Sequence, residues 1–147
     1  MPDVVSPQQR SRMMAGIRSK NTKPELQLRR ALHRLRLRFR LHDARYPGRP
    51  DLLSPRHGAA IFAHGCFWHA HDCPAFKWPA TRKDFWLTKI SANQRLDQRN
   101  IAALHAIGMR VCIVWECALR KAGADAVAWR VAAWLRREDS ALLIISV

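Results

Sequence analysis

Acidic residues are scarce in this chain of 147 residues: 11 Asp and Glu stand against 26 Lys and Arg, a formal net charge of +15. A compact domain with that imbalance repels itself, and an anionic partner relieves the repulsion, nucleic acid first among them. A merely basic soluble protein is the alternative that charge alone leaves open. No apolar run approaches the ~20 residues that a membrane helix needs, and the apolar tail Ala141–Val147 is far shorter. Residues 1–12 have neither the apolar segment nor the cleavage pattern of a secretory leader. We therefore expect a soluble, cytoplasmic chain with no membrane partner. Cysteine is limited to four positions, and in a reducing compartment metal ligation or burial is favoured over disulfides. Internal repeats and low-complexity tracts are absent, and the length suits one compact domain.

What is present reads as an ordered series of elements. Residues 1–23 are polar and basic, with Met13, Met14 and Ile17 as the bulky apolar cluster; they form either a frayed arm or one that orders on DNA. We divide the chain into this arm and a single domain, residues 24–147. Thr22-Lys-Pro-Glu25 carries a helix start, with a capping residue and an acid three positions later. Leu28, Ala31, Leu32 and Leu35 then follow at amphipathic helical spacing. Leu37–Leu41 alternates as a half-buried strand does. His42–Pro50 is a loop, and Asp51–Leu53 and Ala59–His64 are short strands joined by a turn. Asp84–Ile107 is a long helix stopped by Gly108, with Ile90, Leu96, Leu104 and Ile107 as apolar positions. Met109–Trp115 suits a buried central strand, and Val127, Val131, Trp134 and Leu135 mark a last helix. Helix, three strands, helix, strand, helix is a mixed α/β layer fold.

The segment 65–81 is irregular and rich in Cys, His, Trp and Pro. Cys66, His71 and Cys73, joined by Cys117 from just beyond the central strand, supply three thiolates and an imidazole, a donor set suited to a closed structural Zn²⁺ site. Buried thiols with a surface histidine are the bland alternative. Cys112 falls inside the apolar strand and reads as core. Asp51 at a strand start, beside a second strand ending Phe62-Ala63-His64, is the layout of a nuclease metal site, where a carboxylate holds Mg²⁺. In isolation it reads equally as a capping or ion-paired Asp. His69 can exchange a proton near neutral pH, and is otherwise a supporting histidine or a substitute ligand. Asp97, midway along the long helix, either orients an imidazole or faces solvent. Glu25 supports a metal through water or simply closes the cap. Phe67, Trp68 and Trp86 gather around the Cys/His segment; such rings either pack in a core or wedge between base steps. Trp115, Trp129 and Trp134 fit the core, and Trp78 is undecided.

These segments together resemble the very short patch repair (Vsr) DNA mismatch endonuclease family. The resemblance is carried by Pro47-Gly-Arg-Pro-Asp51, His64-Gly-Cys-Phe-Trp-His69 with His71 and Cys73, Pro79-Ala-Thr-Arg82, Phe85-Trp86, Lys89-Ile90 and Val114-Trp-Glu-Cys117. Arg18-Ser-Lys-Asn-Thr22 and Glu25 also fit, so nearly the whole chain is covered. It implies a restriction-endonuclease-like core with a structural zinc site, and a strand-specific, Mg²⁺-dependent nick on the 5′ side of the thymine in a T·G mismatch. Such mismatches arise when 5-methylcytosine deaminates. It implies that Asp51 holds two Mg²⁺ ions with the main-chain carbonyl of Ala63. His69 would be the acid/base group supported by Asp97, and Glu25 and His64 would complete the site. Cys66, His71, Cys73 and Cys117 would bind one zinc. Phe67, Trp68 and Trp86 would intercalate from the major groove, Met14 would approach from the minor groove, and Lys89 and Asn93 would touch the mismatch. A monomer acting on double-stranded DNA, with mismatch-repair accessory proteins as further partners, completes the expectation. Two departures stand out: Ala63 replaces a frequent family Thr, which removes a hydroxyl but keeps the carbonyl, and Ala70 and Asp72 replace family histidines. A DNA-binding module without strong catalysis and a glycosylase that excises the thymine are the competing classes.

Overall fold

The first helix, α1 (Lys23–Arg34), starts because Thr22 caps it: the Glu25 amide donates to Thr22 Oγ1 at 3.4 Å and Pro24 occupies the first turn. The Glu25 side chain turns back one residue further than a capping box would take it, accepting from the Asn21 amide at 2.8 Å. Residues 21–74 and 76–147 are described by this computed structural model. Met14 and the rest of the arm through residue 20 lie outside them.

Leu28, Ala31 and Leu32 are buried as their spacing requires. Leu35 and Arg36 then end the helix, Arg36 in the left-handed region at φ 62°. The alternation of residues 37–41 survives as burial, Leu37 and Phe39 packing on the core. Pairing, however, is confined to β1 (Arg40–Leu41), which meets β2 (Leu52–Ser54) antiparallel. A turn at residues 55–58 returns the chain into β3 (Ala59–His64), with Ser54 opposite Ala59 and Leu52 opposite Ile61. The long helix α2 (Lys83–Ala106) then crosses over to β4 (Arg110–Trp115), parallel to β3.

Two elements depart from the expected order. A short helix, α3 (Glu116–Ala122), follows β4 with no intervening loop, and Gly123, at φ 89°, separates it from α4 (Ala124–Arg137). The tail then adds β5 (Leu142–Ile145), parallel to β4. The sheet order is β1-β2-β3-β4-β5. β4 is therefore an interior strand, buried on both faces, as its apolar run predicts. Arg110 anchors the tail: its guanidinium donates to the carbonyls of Trp134 (2.6 Å), Leu135 (3.3 Å) and Ser140 (3.0 Å) and lies over the Trp134 ring.

Period-two alternation splits the sheet between two cores. Leu52, Ile61, Cys112 and Val114 face α1 and α4, while Leu53, Ala60, Val111 and Ile113 face Leu104 of α2. Cys112 is a core residue as expected, and burial pushes its thiol up to about 12. Of the four apolar positions expected to seat α2, Ile90 and Leu104 are buried but Leu96 and Ile107 are exposed. Leu104 packs in the second core, whereas Ile90, in the amino-terminal half of α2, is buried outside both cores. Trp134 is in the core, but Trp129, on the outer face of α4, is 62% exposed and corrects the expectation made for it. Among the described residues no helix is long and apolar enough to cross a membrane.

Candidate active site and metal centre

Three clusters of polar side chains collect where β2 begins and where β3 and β4 end. The first is built on segment 66–73 and on α3. Cys66, His71, Cys73 and Cys117 bring their sulfur and nitrogen atoms within 4.8 Å of one another. His71 Nδ1 lies 3.6 Å from Cys66 Sγ and 3.5 Å from Cys117 Sγ. A tetrahedral centre with ordinary zinc–sulfur and zinc–nitrogen bonds sets those edges at roughly 3.5 Å, so the donors fit such an ion in both chemistry and spacing. No disulfide joins these cysteines. Burial pushes the Cys66 thiol up to about 12; a bound cation would reverse that preference by stabilising the thiolate. Cys117 is the second residue of α3, not part of a loop. His71 stacks on Trp115, with ring centroids 3.9 Å apart and planes 5° apart. Trp115 therefore serves this centre as well as the core.

The second cluster sits at the β1–β2 hairpin. Asp51 stands one residue before β2, and its Oδ2 accepts the Ala63 amide at 2.7 Å. Burial pushes its carboxyl up to about 7, and nearby Glu25 adds to the rise, while the Ala63 hydrogen bond opposes it. Glu25 reaches the same place from α1, and His42 from the end of β1; one donor atom from each of Glu25, His42 and Asp51 falls within 4.8 Å.

The third cluster faces it. His69 hydrogen-bonds through Nδ1 to Asp97 Oδ2, so that a carboxylate from the middle of α2 orients the imidazole. His64, the last residue of β3, stacks flat on His69 at 3.9 Å with 3° between planes, its Nε2 4.0 Å from Asp97 Oδ1. Burial, then the neighbouring His69, push His64 down to about 3. It is a neutral ring, and its Nδ1 meets no hydrogen-bond partner among the described residues.

Asp51, Ala63, His69 and Asp97 all line one cavity of about 1050 Å³, whose wall also includes Phe67, Trp68, Lys89 and Asn93. Phe67, Trp68 and Trp86 form one group, Phe67 meeting Trp68 and Trp86 edge-on at 5.1 and 5.2 Å and the two tryptophans tilted at 58° with centroids 5.8 Å apart. They join neither core and stand partly exposed at the cavity edge. Asn93 and Gln94 hold the turn that carries Phe67 and Trp68, donating to the Trp68 and His69 carbonyls at 3.0 Å each.

Sequence reasoning missed His42, Arg29, Gln94 and the double role of Trp115. His42 had a signal: pairing Leu41 with Leu52 places the next residue beside Asp51, and the His42 amide meets the Asp51 carbonyl at 3.4 Å. Gln94 had none, because its partner is a main-chain carbonyl in an irregular loop.

The chain as a whole is similar to known proteins. A family model described as DNA mismatch endonuclease Vsr matches residues 2–75. The chain is 48% identical over 124 residues to the type II nicking enzyme V.XorIIP of Xanthomonas oryzae pv. oryzae, covering 84% of this chain and 91% of that one. It is 44% identical over 147 residues to the DNA mismatch endonuclease Vsr of Escherichia coli K12, covering 98% and 94%. With the type II nicking enzyme V.NmeAIP of Neisseria meningitidis it shares 41% identity over 120 residues, 82% and 86% of the two chains.

Proposed function

Since this chain belongs to the DNA mismatch endonuclease Vsr family, we propose that it nicks one strand of duplex DNA on the 5′ side of the thymine in a T·G mismatch. The observation that carries this reading is the shared cavity: Asp51 with Ala63 and His69 with Asp97 open into one space beside an aromatic group outside both cores. We read the core, an antiparallel β1–β3 followed by parallel β4 and β5, as restriction-endonuclease-like.

Asp51 and the main-chain carbonyl of Ala63 would hold Mg²⁺, two ions in all, hard oxygen donors for a hard cation. When bound, the metal neutralises charge on the scissile phosphate and acidifies an attacking water. Asp97 fixes the His69 tautomer through Nδ1, which leaves Nε2 to take or give the proton. His64, neutral and stacked on His69, fixes the ring plane without adding charge. Phe67, Trp68 and Trp86 enter between base steps, and Lys89 and Asn93 approach the mismatch. The remaining residue of the DNA-contacting set, Met14, would enter from the opposite groove. Cys66, His71, Cys73 and Cys117 would hold one structural zinc that keeps the wedge and His69 in place. The enzyme would act as a cytoplasmic monomer, with mismatch-repair proteins as accessory partners.

The test is a nicking assay on end-labelled duplexes containing T·G or T·A, in Mg²⁺ and in EDTA. A Mg²⁺-dependent cut confined to the T strand of the mismatched duplex supports the reading. An abasic product without an initial strand break returns the glycosylase, and tight binding with no cut returns the binding module.

A further inference from the structure

Glu25 is buried to 1% exposure, and three donors converge on it. The Asn21 amide meets Oε1 at 2.8 Å, while Arg29 Nη1 at 3.3 Å and His42 Nε2 at 2.7 Å share Oε2. With a carboxylate as acceptor, His42 Nε2 carries the proton. His42 also binds through its backbone, its amide facing the Asp51 carbonyl at 3.4 Å. It does so from the left-handed region at φ 49°, a conformation that a residue with a side chain rarely adopts and that persists where surrounding contacts impose it.

One residue thus ties the main chain at Asp51 to the side chain of Glu25. We propose that His42 is a positioning residue for strand cleavage: it pins Glu25 beside Asp51, with Arg29 as the outer half of the clamp. A carboxylate so close to a metal-binding carboxylate must be kept in one orientation and have its charge shared, or it competes for the cation and repels its neighbour. Two donors on Oε2 do both. Arg29 lies at the rim, its side chain 26% exposed against 13% for His42, so His42 is the inner and closer support. The inference rests on reading Asp51 as the cleavage site. Its failure is separable, because wild-type protein that does not nick refutes that reading, whereas wild type that nicks leaves His42 to be judged alone.

The experiment compares full-length wild type, His42→Ala and His42→Gln in single-turnover nicking of a T·G duplex across a Mg²⁺ titration. Melting temperature and mismatch binding without Mg²⁺ are measured alongside. His42→Ala is expected to lower the rate or raise the Mg²⁺ midpoint by about 10–100-fold, the usual effect of losing a partner that orients a metal-site ligand, with mismatch binding unchanged. His42→Gln, whose amide can donate to the same oxygen, is expected to recover most of that loss. An alanine variant with wild-type rate and Mg²⁺ midpoint overturns the proposal. So does a glutamine variant no better than alanine with both melting temperatures depressed, since His42 would then serve packing. If His42→Ala fails to fold, Arg29→Ala removes the outer half of the clamp from a partly exposed site, and an unchanged Mg²⁺ dependence there overturns it.

Discussion

The two sides of the cavity are held by different means. Asp51 directly precedes β2 and Ala63 lies in β3, adjacent antiparallel strands whose register is fixed by Leu52 opposite Ile61 and Leu53 opposite Ala60, all four fully buried. His69, Phe67 and Trp68 sit on segment 66–73, which has neither helix nor strand and is closed by short backbone bonds such as His71 amide to Cys66 carbonyl at 3.0 Å, while Trp86 joins them from α2. The hairpin side is determined by apolar burial and survives without help. The other side depends on four donor side chains converging, on Asp97, and on the amides of Asn93 and Gln94. In our reading the first side holds the metal, while the second supplies the proton-transfer group and finds the mismatch.

The strongest way to break this division is to remove the metal centre. Cys117→Ala should lose the bound zinc found by elemental analysis of wild type, at one per chain, and with it both mismatch binding and cutting. Far-UV circular dichroism should keep most of its signal, because the sheet does not depend on the loop; global unfolding would place the centre in the core instead. On the hairpin side, Asp51→Asn should reduce cutting by at least roughly 10²–10³-fold, the scale of losing one electrostatic contribution to the transition state.

The same substitution has an opposite effect on stability. The Asp51 carboxyl is raised from 3.8 to about 7, so its contribution to stability is fully present below its unfolded value and is lost as pH rises through about 7. Without added Mg²⁺, the Asn variant should therefore melt above wild type at pH 8, with the gap closing towards pH 5; a constant gap would deny Asp51 this titration. Of smaller size, Trp68→Ala should weaken mismatch binding by about 1–3 kcal/mol, the worth of one stacked base, with little change in melting temperature. A large drop in melting temperature at constant affinity would return Trp68 to the core. Smallest of all, Trp129→Ala should shift stability by no more than about 0.5 kcal/mol, against about 3–5 kcal/mol for Trp134→Ala, as read from denaturant midpoints.

Legibility in the sequence follows the same division. Periodicity located α1, α2, β3, β4 and α4 because apolar burial shapes them, and it located the Cys/His centre because soft ligands cluster visibly. It overlooked α3, which starts directly after β4 without a turn signal. It also overlooked β5, whose apolar run gains meaning only when Val111 pairs with Leu142. It misjudged Trp129 because helical spacing cannot say which edge of an apolar stripe meets the core. His42 carried only an indirect signal: its role comes from the pairing of β1 with β2 and from a left-handed backbone, and residue type alone announces neither.

The central claim is that the metal-binding carboxylate needed for the cut and the aromatic group that finds the mismatch reside on opposite sides of one cavity. The most direct measurement follows binding and strand scission together, on one end-labelled T·G duplex, for wild type and Asp51→Asn with Mg²⁺ present. The account predicts that wild type cuts just 5′ of the mismatched thymine, while the variant leaves the strand intact yet retains wild-type preference for T·G over T·A. Loss of that preference along with the cut would contradict it.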